Sequence, residues 1–132
     1  MAAPFASHEE ERLTVDRFLN AVAKFQRRRP ATFDIKVGIG GTDLLVKVRS
    51  GRVESAESLA ALRPLTPWDF ALSAEASTWQ RFWEATPAAG WHDIFALTRH
   101  GRMQIEGNLQ PFMAHLQFVK DLLASPRTEV KP

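Results

Sequence analysis

The chain begins with hydrophobic residues at helical spacing and then changes to strand spacing. Over residues 9–28 apolar side chains recur at intervals of three and four, which predicts an amphipathic helix. Pro30 ends this pattern because it disfavours helical geometry at the residue before it. Apolar and polar residues then alternate over 33–39 and 44–49, and the segment between them, 40–43, is rich in turn residues. We therefore expect a helix followed by a β-hairpin with one buried and one wet face.

The same alternation predicts three more strands. A turn at 50–51 leads into a strand over 52–57, and a connection that contains Pro64 leads to a fourth strand over 68–74. A fifth short strand is expected over 102–107. Because a parallel crossover needs a dozen or more residues, we expect the closely linked strands to pair antiparallel.

Helical spacing returns in the second half of the chain. Ser73 is a suitable N-cap for a helix that Pro87 and Gly90 end, and a shared apolar face is predicted for Ala76, Trp79, Phe82 and Trp83. A short helix with a wide apolar arc is predicted over 91–98. Asn108 is expected to cap a last helix with a continuous apolar stripe, formed by Leu109, Phe112, Met113, Leu116, Val119 and Leu123.

These elements predict an α+β fold: a five-stranded, mainly antiparallel sheet covered by an N-terminal helix and C-terminal helices. The chain has 132 residues and is 45% hydrophobic, which suits one domain with a real core. We expect that domain to span 1–132, with its core at about 9–125 and a loose tail over 128–132.

Composition excludes several kinds of chemistry. Because there is no cysteine, the chain cannot hold a disulfide, a thiolate zinc site or a cysteine nucleophile. It contains nine Phe and four Trp but no Tyr, which favours apolar packing or apolar binding over catalysis. No apolar run approaches the roughly 20 residues that cross a bilayer, so we expect a soluble, cytoplasmic protein.

The formal net charge is only +2, and the densest positive cluster follows the first predicted helix. It consists of Lys24, Arg27, Arg28 and Arg29. A solvated helix end is one interpretation, and weak contact with an anionic membrane surface is the other. Nucleic acid is not expected as a partner, since the aromatic residues are not interleaved with Lys and Arg.

Candidate catalytic and metal-binding residues are sparse. The four histidines do not occur in pairs at the spacing of a helical zinc site, so we predict no metal, no cofactor and no catalytic residue. His92 and Asp93 fit the start of a helix better than an acid–base pair. A small enzyme that uses Asp93, Asp69 or His100 as a buried base remains an alternative.

Apolar residues are in excess between residues 79 and 123. Three predicted helices there carry a large share of the aromatic volume and must share one face of a modest sheet. They either form a bulky core or leave one side open as a cavity for an apolar ligand. Met103 and Met113 suit a cavity lining because the flexible thioether adapts to ligands of different shapes.

The order of elements and three segments resemble the sterol carrier protein type 2 family of small lipid-binding domains. These segments are FDIKV at 33–37 leading to VKVRSGRV at 46–53, WDFALS at 68–73 followed by Trp79 and Phe82, and GRMQIEGN at 101–108. The resemblance covers roughly 31–123 and implies an apolar tunnel between sheet and helices that takes up a sterol, a fatty acyl chain or another lipid without chemistry. The C-terminus has no peroxisomal address, which favours a stand-alone, bacterial-type member.

Carried onto this chain, the resemblance implies a ligand-binding lining and a polar mouth. The lining would come from Trp79, Phe82, Trp83, Ile94, Phe95, Met103, Ile105, Phe112, Met113 and Leu116. For an anionic ligand, the mouth would come from Arg99, His100 and Arg102. Trp91 and Phe95 are expected to reshape or fill this cavity. The main alternative is an accessory module whose apolar groove takes a partner protein or a second copy, giving a homodimer.

Overall fold

The computed structural model describes residues 4–61 and 66–129. Pro64 in the predicted connection and residues 130–132 of the predicted tail lie outside the described residues. The helices and strands are α1 Pro4–Val22, β1 Phe33–Ile39, β2 Thr42–Arg49, β3 Arg52–Ser58, β4 Phe70–Ala74, α2 Ala76–Phe82, α3 Ile94–Arg99, β5 Gln104–Gly107, α4 Leu109–Ala114 and α5 Leu116–Leu123. Two 3-10 turns occupy Leu59–Ala61 and Ser125–Glu129.

The five strands form one sheet in the order β3-β2-β1-β4-β5. The pairs β1–β2, β2–β3 and β4–β5 are antiparallel, which confirms the predicted α+β fold with a mainly antiparallel sheet. The expectation that all linked strands pair antiparallel is wrong for β4, which runs parallel to β1. The strand order places β4 on the side of β1 that faces away from β2, where it runs in the same direction as β1.

One face of the sheet packs against the helices to form the core, and the other face is only partly exposed to solvent. Phe33, Ile35, Val37 and Ile39 point inward and expose at most 2% of their surface. On the opposite face Leu45 is also buried, so the predicted alternation of buried and wet positions is wrong there. Part of this face is covered by Trp68, whose ring lies 4.6 Å from the Lys36 ammonium. Burying both faces of the sheet adds apolar contact area.

Helix α1 ends at Val22, before the predicted end at residue 28, because the chain turns to pair with the sheet. Phe25 is buried, Gln26 forms a bridge with Arg52, and the Arg27 N–H donates to the Gly51 carbonyl at 2.9 Å. The basic residues therefore lie on a loop beside the β2–β3 turn and not on a helix end. Gly51 has φ +82, and a Cβ there would come within 2.4 Å of two carbonyl oxygens of this loop.

The C-terminal helices differ from the prediction in two places. Ser73 belongs to β4, and Glu75 precedes α2 as its N-cap. Asn108 caps α4 as predicted, its side chain accepting from the Gln110 N–H at 3.1 Å. The single last helix is broken at His115, whose φ of −118° and ψ of 32° separate α4 from α5. The predicted continuous stripe is therefore wrong: the helix is interrupted at His115, and Leu109 and Met113 are exposed whereas Val119 and Leu123 are buried.

Candidate functional site

A layer of aromatic rings lies between the sheet and the C-terminal helices. The Trp79 ring centroid lies 6.0 Å from that of Phe82 and 5.6 Å from that of Trp83. Both indole N–H groups are satisfied by backbone carbonyls: Trp79 Nε1 donates to Gly38 at 2.9 Å and Trp83 Nε1 donates to Leu123 at 2.8 Å. Buried aromatic rings with satisfied donors hold α2 rigidly against β1 and the end of α5.

Much of the predicted pocket lining is tightly packed in this structure. Six of the ten residues are buried and expose at most 2% of their surface: Trp79, Phe82, Trp83, Ile94, Met103 and Phe112. Phe95, Ile105 and Leu116 are half-buried against the core, while Met113 is 55% exposed. The structure thus divides the predicted lining into a packed part and an accessible part.

The accessible part is centred on helix α4. Phe112 points inward, with its ring centroid 5.3 Å from that of Phe70 and 6.0 Å from that of Phe95. Beside Phe112 on the same helix, Leu109 is 49% exposed and Met113 is 55% exposed. Helix α4 therefore presents apolar side chains to solvent next to its buried face, and this exposed surface has no partner among the described residues.

We refer to the accessible apolar residues around this helix as the α4 apolar face: Phe95, Ile105, Leu109, Met113 and Leu116. Sequence analysis did not place Leu109 in the site, because it assigned the residue to a buried stripe. The i, i+4 spacing of Leu109 and Met113 places both on one side of α4. This spacing was the sequence signal that could have assigned Leu109 to the same surface as Met113.

The three predicted mouth residues are all exposed, but only Arg102 belongs to a built arrangement. Its guanidinium carbon lies 4.4 Å from the centroid of the Trp91 ring, and that of Arg81 lies 3.9 Å from the same ring. Arg102 also lines a cleft of about 640 Å³, together with Gly40, Ser73, Ala74, Glu75, Thr78, Gly101 and Gln104. Arg99 and His100 are not among its lining residues, and Arg81 was missed because its contact with Trp91 is tertiary.

The residues considered for a buried base have structural partners or are exposed. Asp93 pairs with Lys120 at 3.3 Å, and one Asp69 oxygen accepts from the Asp34 N–H at 2.8 Å. His100 is exposed at the C-terminal end of α3. Across residues 4–61 and 66–129, no three His, Asp or Glu side chains lie close enough together to hold a metal ion. The geometry of these groups is that of surface and sheet contacts.

Of the predicted membrane-contact residues, Arg27 is partly engaged within the protein. Its Nε lies 3.6 Å from an Asp121 carboxylate oxygen, and its guanidinium covers the Phe25 ring at 4.3 Å. Lys24, Arg28 and Arg29 are exposed on the loop after α1. This loop therefore presents three solvent-exposed basic side chains near the β2–β3 turn.

Glu11 joins α1 to the first hairpin by side-chain hydrogen bonds. Its carboxylate accepts from the Thr42 hydroxyl at 2.5 Å and from the Gly41 N–H at 3.2 Å. These hydrogen bonds to the charged form lower the pKa of Glu11 below its ordinary value, with Thr42 as the larger cause. A cleft of about 290 Å³ next to it is lined by His8, Glu11, Arg12, Val15 and Thr42.

Comparison with solved structures places this arrangement in a known fold. A structure of sterol carrier protein 2 matches with a TM-score of 0.61 at 13% identity, covering 87% of this chain and 94% of that one. Sterol carrier protein 2 like 2 from Aedes aegypti matches with a TM-score of 0.50 at 9% identity, covering 83% of this chain and 94% of that one. A ubiquinone synthesis protein, UbiJ-SCP2, covers 99% of this chain and 98% of its own at 15% identity, with a TM-score of 0.49.

This chain therefore has the fold of sterol carrier protein 2, as its sequence resemblance implied. No protein-family model and no curated protein sequence matches it. Within the described residues, no helix is both long and apolar enough to span a membrane.

Proposed function

We propose that this chain is a single-domain, non-catalytic module that binds and transfers an apolar ligand, such as a lipid, at the α4 apolar face. The observation that carries the proposal is that α4 presents the apolar side chains of Leu109 and Met113 to solvent beside the buried Phe112. Each Å² of apolar surface that a ligand covers contributes about 25 cal/mol to binding. A long alkyl chain laid along this face would therefore have a substantial driving force.

The shortness of α4 supports entry of the ligand at this helix. Leu109–Ala114 has only six residues, and an isolated helix of that length is not stable in water. Its position depends on Phe112, which packs between Phe70 and Phe95. We propose that α4 moves outward with Phe112, so that the alkyl chain lying along the α4 apolar face extends into the place of the Phe112 ring in the aromatic layer.

The fold supports the class of ligand by analogy only, since one fold can serve several functions. Sterol carrier protein 2 has this fold, and its name states that it carries a sterol. The apolar face of the present chain suits a sterol, a fatty acyl chain or another lipid, and its residues provide no group for covalent chemistry on such a ligand.

A matched pair of substitutions tests the site. Met113 and Leu13 are large apolar residues on different helices, 55% and 56% exposed respectively. Met113→Lys is expected to weaken binding of the uncharged fluorescent probe N-phenyl-1-naphthylamine at least tenfold, whereas Leu13→Lys leaves it unchanged. Equal affinity of both variants and the wild type would refute the assignment of the site.

A second candidate function is favoured by the same exposed residues. Leu109 and Met113 form an exposed apolar surface of the kind that a partner protein or a second copy of the chain covers. This accessory module would form a dimer in sedimentation velocity experiments at micromolar concentration, and Met113→Lys would dissociate it. A monomer that binds the probe supports the carrier instead.

We further propose that delivery of the ligand uses weak contact with an anionic membrane through the loop after α1. Lys24, Arg28 and Arg29 are exposed there, and each basic residue near such a surface contributes about 1 kcal/mol. Cosedimentation with vesicles that contain phosphatidylserine should fall when these three are changed to Gln. Equal cosedimentation of the wild type with purely zwitterionic vesicles would contradict this contact.

A further inference from the structure

Two arginines from separate segments converge on one tryptophan. Arg81 lies in the last turn of α2, Trp91 in the loop after it, and Arg102 between α3 and β5. The guanidinium carbons lie 3.9 Å and 4.4 Å from the Trp91 ring centroid. Stacking on an aromatic face occupies the flat side of a guanidinium and leaves the N–H donors at its edge free to bind.

These two arginines lack anionic partners within the described part of the chain. The ion pairs there involve Arg12, Arg27, Arg49 and Lys120, and no carboxylate lies within 4.0 Å of Arg81 or Arg102. No described hydrogen bond uses their N–H groups either. Two like charges held against one ring repel each other, and an anion bound beside the ring at their free edges offsets that repulsion.

The two arginines are accessible to a ligand, and their guanidinium groups have a shape that suits an oxyanion. Both arginines are exposed, and Arg102 lines the cleft of about 640 Å³. A guanidinium that is held flat by a ring presents a planar fork, which matches the oxygens of a carboxylate or a phosphate. Glu75 lines the same cleft and repels anions, so the anion is placed at the two arginines and not across the whole cleft.

We propose that Arg81 and Arg102, held by Trp91, form a binding site for an oxyanion, a carboxylate or a phosphate, that is the headgroup of the apolar ligand. This proposal rests on the proposed function for the position of the alkyl chain. Strand β5 connects the two regions: Met103 follows Arg102 into the core, and Ile105 belongs to the α4 apolar face. The ligand class is therefore an anionic amphiphile.

A series of ligands with one chain length separates the two proposals. The probes are 1-dodecanol, dodecanoate and dodecyl phosphate, with inorganic phosphate as the headgroup alone, each titrated by calorimetry at pH 7.5. The variants are the double substitution of Arg81→Gln and Arg102→Gln, and Arg99→Gln as a control, because Arg99 is exposed nearby but does not contact Trp91.

The oxyanion site predicts that dodecanoate and dodecyl phosphate bind at least tenfold more tightly than dodecanol. The double variant should lose this advantage and keep its affinity for dodecanol, while Arg99→Gln keeps both. If dodecanol binds as tightly as the anions, the oxyanion site is refuted and the apolar site stands. If inorganic phosphate binds as tightly as dodecyl phosphate, the site serves a free anion and the headgroup assignment is overturned. If none of the amphiphiles binds, both the oxyanion site and the proposed function are refuted.

Discussion

Replacing Phe112 by Ala should destabilise the protein and at the same time tighten its binding of an apolar ligand. Phe112 is 2% exposed, and its ring contacts those of Phe70 and Phe95. Truncation of a buried Phe typically lowers the free energy of unfolding by about 3–5 kcal/mol. A domain of ordinary stability, about 5–15 kcal/mol, would remain folded after this loss in most of that range.

The effect on binding has the opposite sign because the ligand must displace this ring. Each aromatic pair contributes about 0.5–1.5 kcal/mol beyond burial, so breaking the two ring contacts of Phe112 opposes binding by about 1–3 kcal/mol. Without that ring, affinity for N-phenyl-1-naphthylamine should rise by about 5-fold to 140-fold, since 1.4 kcal/mol corresponds to tenfold. Urea unfolding and fluorescence titration at 15 °C measure the two effects.

Phe25→Ala is the matched control. Phe25 is 7% exposed and packs on Phe118 at 5.2 Å, without a described ring contact to α4. This variant should lose comparable stability with unchanged affinity. If Phe112→Ala binds the probe no better than Phe25→Ala does, the Phe112 ring is not displaced by the ligand, and the proposed entry at α4 is wrong.

Three further predictions concern the fold. Trp79→Phe leaves the buried Gly38 carbonyl without its indole donor and should lower the free energy of unfolding by about 1–3 kcal/mol in urea titrations; an unchanged midpoint would contradict the hydrogen bond. Gly51→Ala should destabilise by at least about 1–2 kcal/mol because φ is +82 and the Cβ meets two carbonyls; wild-type thermal stability would contradict that geometry. Glu11 has a lowered pKa when folded, so its stabilisation is present above pH 4.5 and is lost as the pH falls through the folded value. The stability difference between wild type and Glu11→Gln should shrink accordingly in acid titrations, and a constant difference would exclude that role.

The strands were predictable because their alternation is local. The predicted strand over 33–39 coincides with Phe33–Ile39, and a turn joins it to β2 as expected, although it occupies only residues 40–41 because β2 begins at Thr42. The parallel pairing of β4 with β1 was not predictable in the same way, because it depends on the order of the strands in the sheet, which is a tertiary property. Propensity and spacing describe an element but not the side of the sheet on which it joins.

The candidate site was less predictable because it depends on a helix break and on tertiary contacts. His115 continues the helical spacing in sequence, yet its backbone leaves the helix and turns Leu109 and Met113 outward. Similarly, nothing in the spacing of Arg81 and Trp91 indicates that they stack, since they belong to different segments that packing brings together. Apolar content therefore identified the region, and only the structure separated its packed side from its accessible side.

Hydrogen–deuterium exchange of the wild-type protein with and without 1-dodecanol tests the central claim most directly, because it locates the bound ligand on the chain. We predict that exchange of the amides over 109–116 changes on saturation while that of the buried strand β1, Phe33–Ile39, does not. Dodecanol binding that leaves 109–116 unchanged and alters another region, or no binding at all, would contradict a carrier that takes its ligand at α4.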